Sequence, residues 1–152
     1  MVHTDIEKKF PSFFANFAMP TGAGNEVYTV YRACVTNKIE LESFIPSHAE
    51  RSALRESNPS EPGSYSLSVY ENPKDVRRFA KMNKLYGEPL MIAKGTTELC
   101  CGMAQKTRNR TNDKKDGSHI DWWLYEKALP HEHFELIEDF NVYYENYERG
   151  AL

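Results

Sequence analysis

The sequence lacks disulfide chemistry. Only three cysteines occur in 152 residues: Cys34, Cys100 and Cys101. The number is odd, and adjacent cysteines bridge each other only with strain. No Cys-x-x-Cys pair is present, so reduced thiols in a cytoplasmic protein are the expectation. The opening MVHTDIEKKF has no apolar stretch of the signal-peptide kind. No apolar run approaches the ~20 residues that cross a bilayer, so no membrane association is expected. A strong charge of one sign is missing too. The net charge is -3, which makes nucleic acid an unlikely partner. A phosphate loop is also absent, because Gly95-Thr96-Thr97 has neither the glycine spacing nor the following lysine.

Aromatic residues are plentiful, at 12% of the chain with nine Tyr and eight Phe. That favours strands and stacking surfaces over a plain helical bundle. The length suits one ordinary domain, and we expect residues 1–152 to form it. Asp5 to Phe10 reads as a short helical turn, and Pro11 can open a helix. Phe10, Phe13, Phe14 and Phe17 keep helical spacing, and a loop then runs to residue 25. Glu26 to Thr36 (EVYTVYRACVT) is the clearest strand. Lys38 to Phe44 and Ser47 to Ser57 read as helix-compatible, and SNPSEPG that follows is a loop.

Gly63 to Tyr70 alternates as a second strand. Asn72 and Pro73 then open a helix that runs to about Lys84. Leu90 to Thr97 is a third strand. Residues 102–117 are polar and bounded by glycines, which predicts a long loop. His119 to Glu126 and His133 to Glu138 are further strands. Phe140 to Tyr147 fits either a sixth strand or a terminal helix. The pattern predicts an α+β fold: a mixed or mostly antiparallel sheet of five or six strands, an N-terminal helix and one helix between strands.

Alternate strand residues share a face. Arg32 therefore lies with Tyr28, Val30 and Cys34, while Tyr31 faces the other way. A guanidinium among apolar neighbours needs a carboxylate, a route to the sheet edge or an anionic ligand. Ser64, Ser66, Ser68 and Tyr70 share a face opposite Tyr65, Leu67 and Val69. On the late strand, Ile120, Trp122 and Leu124 oppose His119, Asp121, Trp123 and Tyr125. The second set suits a cleft that stacks a flat ring. It also suits a packed face in which Asp121 pairs with Arg32. His131, His133 and Glu135 alternate as well, but no further ligand cluster is evident, so no metal is expected.

The order of these features resembles the ADP-ribosyltransferase fold, from Glu26 onward. Tyr31-Arg32 matches its arginine strand, and Ser64-Tyr65-Ser66 matches its serine strand. The helix from Pro73 follows, and His119 to Glu126 matches its late acidic strand. The family's catalytic glutamate is not matched; only Asp121, one methylene shorter, or Glu126 on the opposite face stands in its place. The resemblance implies NAD as cofactor. It gives Arg32 the pyrophosphate, Ser66 the nicotinamide ribose, and Trp123 or Tyr125 the nicotinamide ring. Asp121 would stabilise the oxocarbenium charge. Tyr31, Ser64 and His119 would line the same dinucleotide site. The resemblance covers active and degenerate members alike.

A second expectation comes from charge and aromatic content. Lys106, Arg108, Arg110, Lys114 and Lys115 form a basic stretch. Glu132, Glu135, Glu138, Asp139, Glu145 and Glu148 follow in a Tyr-rich tail. An acidic, aromatic surface of this kind suits a non-enzymatic module that binds a protein partner, such as a bacterial or phage-encoded inhibitor.

Overall fold

The computed structural model describes residues 8–24, 26–34, 38–44, 57–82 and 90–150. The fold is α+β, with six antiparallel strands in one sheet. The strands are β1 (Thr29–Cys34), β2 (Leu67–Tyr70), β3 (Met91–Thr96), β4 (Gly102–Lys106), β5 (His119–Leu124) and β6 (Phe134–Leu136). They lie in the order β4-β5-β2-β1-β3-β6. The helices are α1 (Pro73–Met82), α2 (Thr107–Thr111) and α3 (Phe140–Glu148). Among the described residues no helix is long and apolar enough to cross a membrane. The helix-compatible stretch at 47–56, residues 5–7 of the first expected turn and the expected end of α1 lie outside the described residues.

The alternation read from the sequence sets the layers. Val30, Cys34, Leu67, Val69, Ile120, Trp122 and Leu124 fill one core cluster on one face of the sheet. Tyr31, Ala33 and Ile92 face the other way and pack with Val76 and Ala80 of α1 and Phe140 and Tyr144 of α3. Farther along that second face, Trp123 and Tyr65 pack with Phe14.

The sheet is curled. Four strand spacings separate β5 from β6, roughly 19 Å in a flat sheet. The rings of Trp122 and Phe134 nonetheless lie 6.0 Å apart. Strands β5 and β6 therefore lean toward each other around the first core cluster.

Several elements differ from expectation. The predicted N-terminal helix is a single 3-10 turn, Ser12–Asn16, whose Phe14 is buried. Pro62–Ser64 is also a 3-10 turn, so β2 begins only at Leu67. The loop predicted over 102–117 is instead β4, α2 and a further 3-10 turn, Lys114–Asp116. Pairing with β5 makes Gly102–Lys106 a strand, with Gly102 opposite Leu124. A Cβ at Gly102 would overlap the carbonyl oxygen of Trp123, so only glycine allows this approach. The C-terminal segment is helical because Asp139 caps it, accepting from the Val142 N–H at 3.2 Å.

Candidate functional site

Strand β2 lies between β5 and β1, and polar side chains meet there from both neighbours. Across β1, Arg32 donates from Nη1 to the Ser68 carbonyl at 2.9 Å and from Nε to the Ser43 carbonyl at 3.1 Å. Across β5, Ser68 Oγ lies 2.8 Å from His119 Nε2. His119 Nδ1 lies 2.5 Å from Thr107 Oγ1, and Thr107 donates to Asp121 Oδ2 at 3.0 Å. Ser66 donates to Asp121 Oδ1 at 2.6 Å. Arg110 closes the chain. Its Nε and Nη2 donate to Asp121 Oδ2 at 3.2 and 2.8 Å, and its Nη1 pairs with Glu61 Oε1 at 2.6 Å.

Proton counting fixes the histidine tautomer. The Thr107 hydroxyl has one proton and gives it to Asp121, so it accepts from Nδ1–H of His119. Nε2 then carries the lone pair and accepts from Ser68. Burial pushes the His119 pKa below its ordinary 6.5, and Arg110 and Arg32 push the same way; Asp121 and Asp116 oppose. A neutral imidazole agrees with this hydrogen-bond pattern. For Arg110, burial alone lowers the pKa, but the hydrogen bonds and charges of Asp121 and Glu61 outweigh it and the net shift is upward.

Three expected site residues, Ser66, His119 and Asp121, thus share one side-chain network, and a fourth, Arg32, meets it only at the Ser68 backbone carbonyl. Arg32 and Asp121 do not meet directly. Tyr31 pairs with Tyr70, Tyr70 with His119, and Ser68 with Asp121. By alternation, Asp121 is on the face of Tyr31 and Arg32 is on the opposite one. The ion pair weighed between Asp121 and Arg32 is made by Arg110 instead. Asp121 is 1% exposed and Arg32 is 5% exposed.

The other four residues stand outside the network. The Tyr31 hydroxyl meets that of Tyr143 at 2.5 Å, and burial pushes its pKa up. Ser64 is buried in its 3-10 turn. Trp123 is fully buried, with Nε1 donating to the Pro62 carbonyl at 3.0 Å. The Tyr125 ring lies 4.9 Å from that of Phe10, tilted by 41°, and lines an apolar pocket of about 310 Å³ with Phe13, Phe44 and Leu124.

Thr107 and Glu61 carry no signal in the sequence, and Arg110 stands there only as one of a basic stretch. Thr107 and Arg110 fall in the stretch read as loop, and Glu61 in the SNPSEPG turn. Ser68 was visible only as one of a row of serines. A separate group, Cys100, Cys101 and His133, brings three ligand atoms within 4.8 Å of one another. Burial, then the neighbouring Cys100, raises the Cys101 thiol pKa to about 12. Compared with known proteins, the chain matches no family model, no curated protein and no solved structure.

Proposed function

We propose that the chain is a degenerate ADP-ribosyltransferase-like protein that binds a nicotinamide dinucleotide without transferring its ADP-ribose. One observation carries the reading. The arginine, serine and acidic strands named by the resemblance lie side by side: Ser68 Oγ, His119, Thr107 and Asp121 form one side-chain chain on one face, and Arg32 reaches the Ser68 backbone carbonyl from the other. Ser68, His119 and Arg110 are half-buried members of the network, and the half-buried Tyr70 ring packs on His119. The loss of transfer follows from Asp121. Its carboxylate already accepts from Ser66, Thr107 and Arg110 and has a guanidinium against it, so little of its charge is left for an oxocarbenium.

Calorimetric titration with NAD tests binding, and a nicotinamide-release assay tests transfer. The expected outcome is saturable heat that His119→Gln weakens, with no nicotinamide released. An absence of heat at millimolar NAD would reject the proposal.

A second reading is a protein-binding module, favoured by the surface of α3. Val142 is 52% exposed. It lines an open groove of about 540 Å³ with Ile137, Glu138, Asp139, Tyr143 and Asn146. The acidic rim suits a basic partner segment. Affinity capture should recover a partner that Val142→Arg loses; equal recovery with wild type and variant rejects this reading.

A further inference from the structure

We propose that Cys100, Cys101 and His133 bind a zinc ion at the crossover between β3 and β4. The two Sγ atoms are 3.9 Å apart, and Cys100 Sγ is 3.8 Å from His133 Nε2. Tetrahedral zinc has Zn–S bonds of about 2.3 Å and Zn–N bonds of about 2.0–2.1 Å. Such bonds place two sulfurs roughly 3.8 Å apart, and a sulfur and a nitrogen roughly 3.6 Å apart. Two of the spacings are already close to the edges of that tetrahedron, and all three ligand atoms lie within 4.8 Å of one another. An ion can enter by drawing the Cys101 and His133 side chains together.

The scaffold holds these ligands from two sides. Cys101 N donates to the Glu98 carbonyl at 2.9 Å, and Tyr125 N donates to the Cys101 carbonyl at 2.8 Å. This ties the cysteine turn to the end of β5. His133 ends the 3-10 turn Pro130–His133, directly before β6, which pairs with β3. A bound ion would therefore staple the β3–β4 turn to the segment that opens β6.

The chemistry of the set selects the ion. Two thiolates and an imidazole are soft-to-borderline ligands, which suit zinc and disfavour magnesium and calcium. Cys101 is buried, while Cys100 and His133 are exposed. The ion is thus anchored from inside and reached from solvent, with water completing the tetrahedron. Three protein ligands plus water is the arrangement of exchangeable or catalytic zinc rather than of closed structural sites. Binding releases the two thiol protons and forms two Zn–S bonds and one Zn–N bond. No oxidant or reductant is involved. The site is independent of the dinucleotide reading.

The test is a titration of the reduced, metal-free full chain with cobalt(II), a spectroscopic stand-in, followed by zinc competition. One equivalent of cobalt should produce a thiolate charge-transfer band and tetrahedral ligand-field bands, and zinc should abolish both. Cys100→Ser and His133→Gln alter exposed positions, and circular dichroism would verify their folding. Each should weaken zinc binding at least about tenfold, the lower end of the loss seen for even an outer-shell partner. No charge-transfer band, or zinc affinity unchanged in both variants, overturns the proposal.

Discussion

Asp121 depends on Arg110. A carboxylate this deeply buried is tolerable only when paired and hydrogen-bonded, and Arg110 supplies two of its donors. Arg110→Met should therefore cost roughly 3–5 kcal/mol, the scale for stranding one member of a buried pair. Urea denaturation measures this. Adding Asp121→Asn should recover part of the loss, because an amide oxygen still accepts from Ser66 or Thr107. Full additivity of the two losses would show that the pair is not coupled. The Arg110–Asp121 pair was not legible in the sequence. Both charges are plain, but nothing local says that Arg110 folds back onto a strand rather than into water.

His119 sets a pH dependence. Its native pKa lies below its ordinary 6.5, because burial penalises the imidazolium. At pH values below 6.5 the unfolded chain takes up a proton that the native state resists. The stability contributed by neutral His119 is thus present above pH 6.5 and is lost as pH falls through the lower native pKa. Unfolding free energy measured from pH 8 to 5 should fall on the acid side, and His119→Gln should flatten that part of the curve. An unchanged slope in the variant would contradict the assignment.

At the scale of elements, the strands with two-residue alternation were legible and the short pieces were not. Burial of one face fixes the side-chain period, so the faces of β1, β2 and β5 follow directly from Val30, Leu67 and Ile120 and their alternates. Strand β4 has no such signal. Gly102–Lys106 contains no β-branched or aromatic residue, and it is a strand because β5 offers it a ladder. Phe140, Tyr143, Tyr144 and Tyr147 fit either period loosely, and the Asp139 cap decides for the helix. The close β4–β5 approach carries its own prediction. Gly102→Ala drives a methyl into the Trp123 backbone and should destabilise by about 1–3 kcal/mol, the range for overpacking. A shift of less than a few tenths in a urea unfolding experiment would show that β4 yields freely.

At the scale of the molecule, curl and polarity divide the sheet. The concave side is apolar apart from the buried Arg32 and brings Trp122 against Phe134 from distant strands. The outer side carries the α1–α3 cluster and the Phe14–Trp123 cluster, with Asp121, Ser66 and His119 on that same face. Element order and periodicity point to this α+β design, but the curl depends on strand order, which no local pattern encodes. The polar network across β5, β2 and β1 is the centre of the functional account. The most direct test is calorimetric titration of the full chain with NAD, beside His119→Gln and Val142→Arg. The account predicts saturable binding by wild type, weaker binding by His119→Gln and unchanged binding by Val142→Arg. No heat at millimolar NAD, or equal binding by wild type and His119→Gln, would contradict it.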